Sequence, residues 1–208
     1  MNLAEPLRAG LHALGLDELQ ACAPRLLDYL ALLAKWNKVY NLTAVRELER
    51  MLPQHLLDSL AVLPYIKGAS LLDVGSGAGL PGIPLAIALP ELQVTLLDSN
   101  HKKTAFLRQA CIELGLTNVT VICERVETWQ APHKFDIVIS RAFSELATFT
   151  KLAGHLCAPG GEMLAMKGMF PDEEASLLPA SVVMERIVPL KVPALEAERH
   201  LVVMRGKV

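Results

Sequence analysis

A glycine-rich turn that follows an apolar run limits the folds open to this chain more than any other feature. Residues 71–84 read LLDVGSGAGLPGIP, an apolar run, three alternating glycines and prolines that suit a helix start. Glycine is needed where the backbone bends sharply or touches a ligand, because a Cβ would fill that space. The segment therefore predicts a strand, a tight ligand-binding turn and a helix.

Short apolar runs alternate with helical patterns after Gly68, as is typical of a parallel sheet covered on both faces. The predicted strands are Ser70–Val74, Gln93–Leu97, Val119–Ile122, Phe135–Ser140, Glu162–Lys167, Val182–Leu190 and His200–Arg205. Helices are predicted at Pro81–Ala88, Lys102–Leu114, Glu145–Leu156 and Asp172–Leu177. Residues 191–199 are too few for a crossover helix, so the last two strands are expected to pair antiparallel. The prediction is an α/β, Rossmann-like sheet of seven strands.

The first 67 residues have apolar side chains at helical spacing and predict an N-terminal helical extension, 1–67, before a sheet domain, 68–208. Asp17 is a candidate N-cap for the pattern that begins at Leu19. Pro24 predicts a kink or a new helix start. A further helix is expected from Pro53 to Leu63.

Charge and composition exclude several function classes. The 208 residues include 20 basic and 22 acidic side chains, a net charge of −2, so no bulk positive charge attracts DNA or RNA and any basic patch is local. Four scattered cysteines and six histidines lack metal-ligand spacing, so no metal is predicted. There is no signal-like N-terminus or long apolar run, so a cytoplasmic protein without a membrane span is expected.

The glycine pattern alone fits two cofactors. Gly77, Gly79 and Gly82 also match the dinucleotide fingerprint, and Asp98, 23 residues after Gly75, suits ribose hydroxyls in either case. Asp73 and the antiparallel terminal pair favour S-adenosylmethionine. Asp73 would orient the loop and the amino-acid end of the cofactor, unless it only caps backbone amides. An NAD-dependent oxidoreductase stays an alternative, although no proton-transfer residue for it is identified.

Several separate segments carry a family resemblance. Beside the loop, they are KWNKVYNLT at 35–43, HLLDS at 55–59, LLDS at 96–99, FLR at 106–108, RVE at 125–127, SRA at 140–142 and ERHLVV at 198–203. A generic methyltransferase would share only the loop and the Asp98 region. Along nearly its whole length, the chain thus resembles the bacterial RsmG (GidB) family of small-subunit rRNA guanine-N7 methyltransferases.

The resemblance implies a class I methyltransferase fold with S-adenosylmethionine as cofactor. The implied cofactor residues are Gly75, Leu80, Asp98, Val126, Glu127 and Arg141, and the pattern of the loop itself adds Asp73, Gly77 and Gly79. Asp98 falls at the ribose, Val126 and Glu127 at the adenine, and Arg141, also the expected catalytic residue, at the mouth of the site. Without the family, Glu127 would be read as a surface carboxylate, Val126 could equally be a core residue, and the alternative for Arg141 is a surface salt-bridge partner.

The resemblance also implies the substrate, 16S rRNA or the small ribosomal subunit, with guanine 527 of the 530 loop as acceptor. Guanine N7 carries a lone pair and no proton, so no catalytic base is expected. The protein is expected to act as a monomer. A non-catalytic RNA-binding assembly factor is the second alternative. Candidate RNA-binding residues are Lys35, Trp36, Lys38, Tyr40, Arg46, Lys102, Lys103, Arg108, Lys167 and Arg199.

Overall fold

The structure, a computed structural model, describes residues 2–141, 143, 145–169 and 174–207. Its α-helices are α1 (Ala4–Ala13), α2 (Ala23–Tyr40), α3 (Leu48–Met51), α4 (Asp58–Leu60), α5 (Gly82–Ala88), α6 (His101–Glu113) and α7 (Leu146–Ala153). Its strands are β1 (Ser70–Val74), β2 (Gln93–Leu97), β3 (Val119–Ile122), β4 (Phe135–Ser140), β5 (Cys157–Lys167), β6 (Val182–Pro189) and β7 (His200–Gly206). Short 3-10 or π turns are Asp17–Cys22, Leu52–Leu57, Leu63–Tyr65, Gly154–Leu156 and Glu174–Leu177.

The seven strands form one mixed sheet in the order β3-β2-β1-β4-β5-β7-β6. The first five are parallel, and β7 pairs antiparallel with both β5 and β6. The predicted fold class, including the antiparallel last pair, is confirmed.

Strand β5 begins at Cys157, earlier than the predicted Glu162. Pro159 and the two glycines after it suggest a turn, yet this segment runs beside β4 with a register shift after Phe135. A Cβ on Gly161 would come within 2.7 Å of the carbonyl oxygen of Asp136, so this close approach needs glycine.

For the N-terminal helices, one prediction is confirmed and two differ from the structure. Pro24 lies in the first turn of α2, after a separate 3-10 segment, which confirms a new start there. Asp17 is not an N-cap, because its carboxylate pairs with the Nδ1 atom of His12 at 3.0 Å. The helix expected from Pro53 begins earlier, at Leu48, and contains a π turn.

Of the helix expected at 172–177, residues 172 and 173 lie outside the described residues, and the remainder is a 3-10 turn.

The core lies on both faces of the sheet. On one face, N-terminal residues such as Leu30 and Leu56 pack in the same buried cluster as Leu71 of β1. On the other face, Leu72 packs with Phe149 of α7. Neighbouring residues of a strand point to opposite faces, so β1 contributes to both clusters. The helices of the proposed 1–67 unit therefore form one cover of the proposed 68–208 sheet.

The Tyr29 hydroxyl joins α2 to the glycine turn by donating a hydrogen bond to the carbonyl oxygen of Ala78 at 2.7 Å, and it is fully buried. Tyr29→Phe is expected to lower the free energy of unfolding by about 1 to 3 kcal/mol, because a buried carbonyl loses its donor. Urea denaturation measures the change. The matched control Tyr40→Phe, at a half-exposed ring, should stay within about 0.5 kcal/mol. Equal effects of the two variants would contradict the prediction.

Candidate active site

The turn after β1 is held to the end of β2 by main-chain hydrogen bonds. The amides of Gly75 and Ser76 donate to the carbonyl oxygen of Leu97 at 2.8 and 3.1 Å. Gly75, Gly77 and Gly79 all have positive φ, a conformation that side chains with a Cβ rarely adopt. The local sequence therefore forms the turn only because these positions are glycine.

Two of these glycines serve different purposes. A Cβ on Gly77 would make only ordinary contacts, with the Gly75 carbonyl oxygen at 3.8 Å and Lys103 at 4.0 Å, so no packed group lies above that position. A Cβ on Gly79 would lie 2.5 Å from Ile83 and 3.0 Å from Leu107. Gly77 leaves room above the turn, whereas Gly79 lets the turn pack against helices α5 and α6.

Asp98, after β2, connects the turn with the start of α6. Its Oδ2 atom accepts the Gly77 amide at 2.9 Å, and its Oδ1 atom accepts the Asn100 amide at 2.8 Å. The Lys103 ammonium lies 3.9 Å from Oδ2. Asp98 is only 7% exposed, yet each carboxylate oxygen can accept a second donor. The carboxylate can thus hold the turn and still bind hydroxyl groups.

Asp73 is fully buried beneath the turn. Its Oδ2 atom accepts the Gly82 amide at 3.0 Å, and its Oδ1 atom has no hydrogen-bond partner among the described residues. Burial raises the pKa of Asp73 to about 7, and the Gly82 amide opposes that shift. These contacts match an orienting or capping role at the start of α5. A contact with the amino-acid end of the cofactor stays a prediction.

Two adjoining cavities lie at the carboxyl ends of the parallel strands. The Asp98 lobe, about 280 Å³, is lined by Val74, Gly75, Leu97, Asp98, Ser99, Lys103, Glu124, Arg125, Val126, Glu127 and Phe143. The Arg141 lobe, about 220 Å³, is lined by Leu42, Thr43, Gly75, Ser76, Gly77, Ala78, Leu80, Lys103 and Arg141. Gly75 and Lys103 line both lobes, which therefore form one cleft around the glycine turn. Small-molecule sites typically have such volumes, roughly 300 to 1,000 Å³, when the lobes are taken together.

The structure brings most of the predicted site residues to this cleft. Those on its walls are Gly75, Gly77, Leu80, Asp98, Val126, Glu127 and Arg141. Asp73 and Gly79 lie behind the turn and line neither lobe, because the first is buried under it and the second packs against α5 and α6.

Lys103, Phe143 and Thr43 are among the wall residues that were not predicted for the cofactor site. Lys103, which was expected to contact RNA, lines both lobes. It is the third residue of α6, the helix that begins shortly after Asp98, so its place in the cleft could have been predicted from that of Asp98. Phe143 stands two residues after Arg141 and could have been found from that motif. Thr43 comes from the N-terminal region, and no local pattern indicates its place on the wall of the Arg141 lobe.

Arg141 belongs to a charge cluster around the buried Asp58 as well as to the cleft. Its guanidinium donates to the Oδ2 atom of Asp58 at 3.3 Å and to the carbonyl oxygen of Gln54 at 3.2 Å. The Oδ1 atom of Asp58 accepts Nε of Arg199 at 3.0 Å. Asp58 is 2% exposed; burial raises its pKa, and the two guanidinium groups oppose that shift. Two cations therefore share the Asp58 carboxylate beside the Arg141 lobe.

His55 does not pair with Asp58, although their spacing on a helix allows it. Its Nε2 atom lies 2.8 Å from the hydroxyl of Thr43. Burial, with the nearby charge of Arg141, lowers the pKa of His55 to about 4. The imidazole is therefore neutral at pH 7 and serves as a hydrogen-bonded packing group.

Several candidate RNA residues have partners within the protein. The Trp36 ring stacks on Tyr40 at 5.1 Å and contacts Phe106 at 5.6 Å, which matches packing against the core. The ammonium of Lys167 pairs with Glu174 at 2.7 Å. Within the described ranges, no cluster of three metal-ligating side chains occurs, and no helix has the length and apolar character to cross a membrane.

The fold is that of S-adenosylmethionine-dependent methyltransferases. The crystal structure of a SAM-dependent methyltransferase from Aquifex aeolicus superimposes with a TM-score of 0.58 at 19% sequence identity, covering 74% of this chain and 92% of that one. At this identity the likeness concerns the fold alone.

Sequence relatives match along the whole chain. The family model GidB, described as rRNA small subunit methyltransferase G, matches residues 23–202. The ribosomal RNA small subunit methyltransferase G of Laribacter hongkongensis is 59% identical over 202 residues, 97% of this chain and 98% of its own. That of Neisseria meningitidis serogroup C is 54% identical over 208 residues, the full length of both chains. The family resemblance expected from the sequence is thereby confirmed, and the protein belongs to the rRNA small subunit methyltransferase G family.

Proposed function

We propose that this protein transfers a methyl group from S-adenosylmethionine to N7 of a guanine in 16S rRNA, with guanine 527 as the acceptor. The two-lobed cleft around the glycine turn is the observation that carries the proposal. One lobe offers a buried carboxylate, and the other opens beside a pair of arginines. A cofactor and an acceptor base can thus approach the turn from its two sides.

The residues of the Asp98 lobe fit the nucleoside part of S-adenosylmethionine. Asp98 retains acceptor capacity for ribose hydroxyls, while Val126, Glu127 and Phe143 supply an apolar and polar wall for a purine. Gly77 leaves the space above the turn that any Cβ would fill. The cofactor, when bound, supplies a methyl group activated by a sulfonium.

The Arg141 lobe is suited to an acceptor that needs no deprotonation. Among the described residues that line it, none is Asp, Glu, His or Cys. Guanine N7 has a lone pair and no proton, so the protein must mainly align the base with the methyl group. Alignment of reactants can contribute roughly 7 to 11 kcal/mol to lowering the barrier.

Arg141 acts by position in this proposal. A cation aimed at N7 would compete with the incoming methyl group, and the purine gains positive charge during transfer. Asp58 and Gln54 hold the Arg141 guanidinium at the wall of the lobe. We infer that Arg141 contacts the O6 or phosphate side of the nucleotide, or orients the cofactor.

The cytoplasmic location and the monomeric state of the protein stay predictions.

Methyl transfer is tested with radiolabelled S-adenosylmethionine on intact small subunits and on naked 16S rRNA, followed by mapping of the modified base. We expect incorporation at N7 of guanine 527 in at least one substrate. Binding of rRNA without transfer would instead favour a non-catalytic assembly factor. Label at another base would reject the acceptor assignment.

Asp98→Ala is expected to weaken S-adenosylmethionine binding by about 1.5 to 3 kcal/mol, because charge-assisted hydrogen bonds to the ribose are lost. Isothermal titration calorimetry measures the Kd. Asp98→Asn separates the charge from the shape, since an amide oxygen can still accept a hydrogen bond. The exposed control Asp28→Ala should bind as the native protein does. Unchanged affinity in Asp98→Ala would remove Asp98 from the site.

Arg141→Ala is expected to reduce turnover about 100-fold through misplacement of the reactants, and more strongly than it reduces stability. Asp58 keeps Arg199 as its partner in this variant, which limits the loss of stability. Single-turnover methylation and thermal unfolding are measured on the same preparation. Arg186→Ala, at an exposed position of β6, is the control. Full activity with lower stability would leave Arg141 only a salt-bridge role.

A further inference from the structure

A second large cavity, about 610 Å³, lies near the amino-terminal ends of the parallel strands, opposite the cleft. The cleft is at the carboxyl ends of the parallel strands, whereas this cavity is lined by the first residues of β5. It also includes the end of α7, the turn before β6 and the segment that follows β7. We call it the basal cavity.

The basal cavity is basic. Lys134, Lys151, His155 and Lys207 line it, together with the hydroxyl-bearing Thr150. No acidic side chain lines it among the described residues. The three lysines are exposed, and within the described part of the chain no carboxylate lies within ion-pair distance of them. A concentration of positive charge therefore stands on a chain whose net charge is −2.

Two carboxylates act on Cys157 of this wall, and neither forms an ion pair with the three lysines among the described residues. Asp136 accepts hydrogen bonds from neutral groups, including the amide and the hydroxyl of Ser70 at 3.0 and 3.1 Å, and keeps its charge. Glu162 forms an ion pair with Arg205. Burial raises the pKa of the Cys157 thiol to about 11, so this wall residue is uncharged at neutral pH. The three lysines therefore have no ion-pair partner among the described residues of the wall.

The helix dipole explains only part of this pattern. Basic residues are favoured at the end of a helix, which accounts for Lys151 and His155 near the end of α7. Lys134 precedes β4, and Lys207 follows β7, so neither belongs to a helix end. Their convergence on one cavity from separate elements needs another explanation.

We propose that the basal cavity binds the phosphate backbone of the rRNA substrate at a point distant from the methylated base. The proposal rests on the rRNA substrate of the proposed function. Strand β4 has six residues, so its two ends are separated by about 17 Å at 3.3 Å per residue. A polynucleotide can reach both the cleft and the basal cavity, whereas a single nucleotide cannot. Phosphate contacts of this kind orient an RNA without reading its sequence.

The test compares two triple variants with the same change of charge. The first is Lys134→Ala, Lys151→Ala and Lys207→Ala together. The control is Lys67→Ala, Arg186→Ala and Lys191→Ala, exposed residues that do not line the basal cavity. Binding to small subunits and to 16S rRNA is measured over a range of salt concentrations, beside calorimetry with S-adenosylmethionine and thermal unfolding.

The first variant should bind rRNA at least about 10-fold more weakly at low salt. The slope of log K against log salt should become less negative by about 2, because each lost phosphate contact changes this slope by roughly 0.7 to 0.9. Its cofactor affinity and melting temperature should match those of the control.

Equal rRNA binding by both variants, while the native protein methylates rRNA, would overturn this proposal and leave the proposed function intact. Binding of inorganic tripolyphosphate that is lost in the first variant, with rRNA affinity unchanged, would make the cavity a small-anion site and would also overturn it. A native protein that neither binds nor methylates rRNA would overturn the proposed function and this proposal together.

Discussion

The hydrogen bonds between the glycine turn and the end of β2 hold the cleft in shape. Parallel pairing of β1 with β2 brings Gly75 next to Leu97, and Asp98 then reaches the Gly77 amide. The turn can follow this path only with glycines at positive φ. The start of α5, the position of α6 and both lobes of the cleft follow from this one junction.

The N-terminal helices complete the site as well as the core. Tyr29 supports the turn through Ala78, and Thr43 lines the Arg141 lobe. Asp58 binds Arg141 at the end of β4 and Arg199 just before β7. A carboxylate this deeply buried requires such partners, since an unpaired buried charge is strongly destabilising. The extension is thereby joined to the middle and to the C-terminal part of the sheet domain beside the Arg141 lobe.

The cleft and the basal cavity, at opposite ends of the parallel strands, differ in their electrostatics. In the cleft, Lys103 lies near Asp98, and the two arginines lie near Asp58, so these charges have partners of opposite sign. At the opposite end, the lysines of the basal cavity have no such carboxylates among the described residues. Paired charges suit the orientation of a small cofactor, whereas unpaired lysines suit a polyanion. The separation of these roles would allow one small domain to handle a large RNA.

Strands β1 to β4 could be predicted to the residue, because short apolar runs rich in β-branched residues are local signals. The antiparallel last pair followed from the length of its linker alone. Likewise, the glycine motif and the carboxylate after β2 indicated the cofactor side of the site before any contact was visible.

Local patterns do not contain the contacts between residues distant in the chain. Asp58 and Arg199 are 141 residues apart, and Tyr29 and Ala78 are 49 apart. The same limit explains why Gly79 was predicted for the cofactor although it serves packing, and why the wall position of Thr43 was missed. Backbone conformation and strand periodicity depend on near neighbours, whereas the pairing of buried charges and the walls of a cleft depend on which elements the packed core brings together.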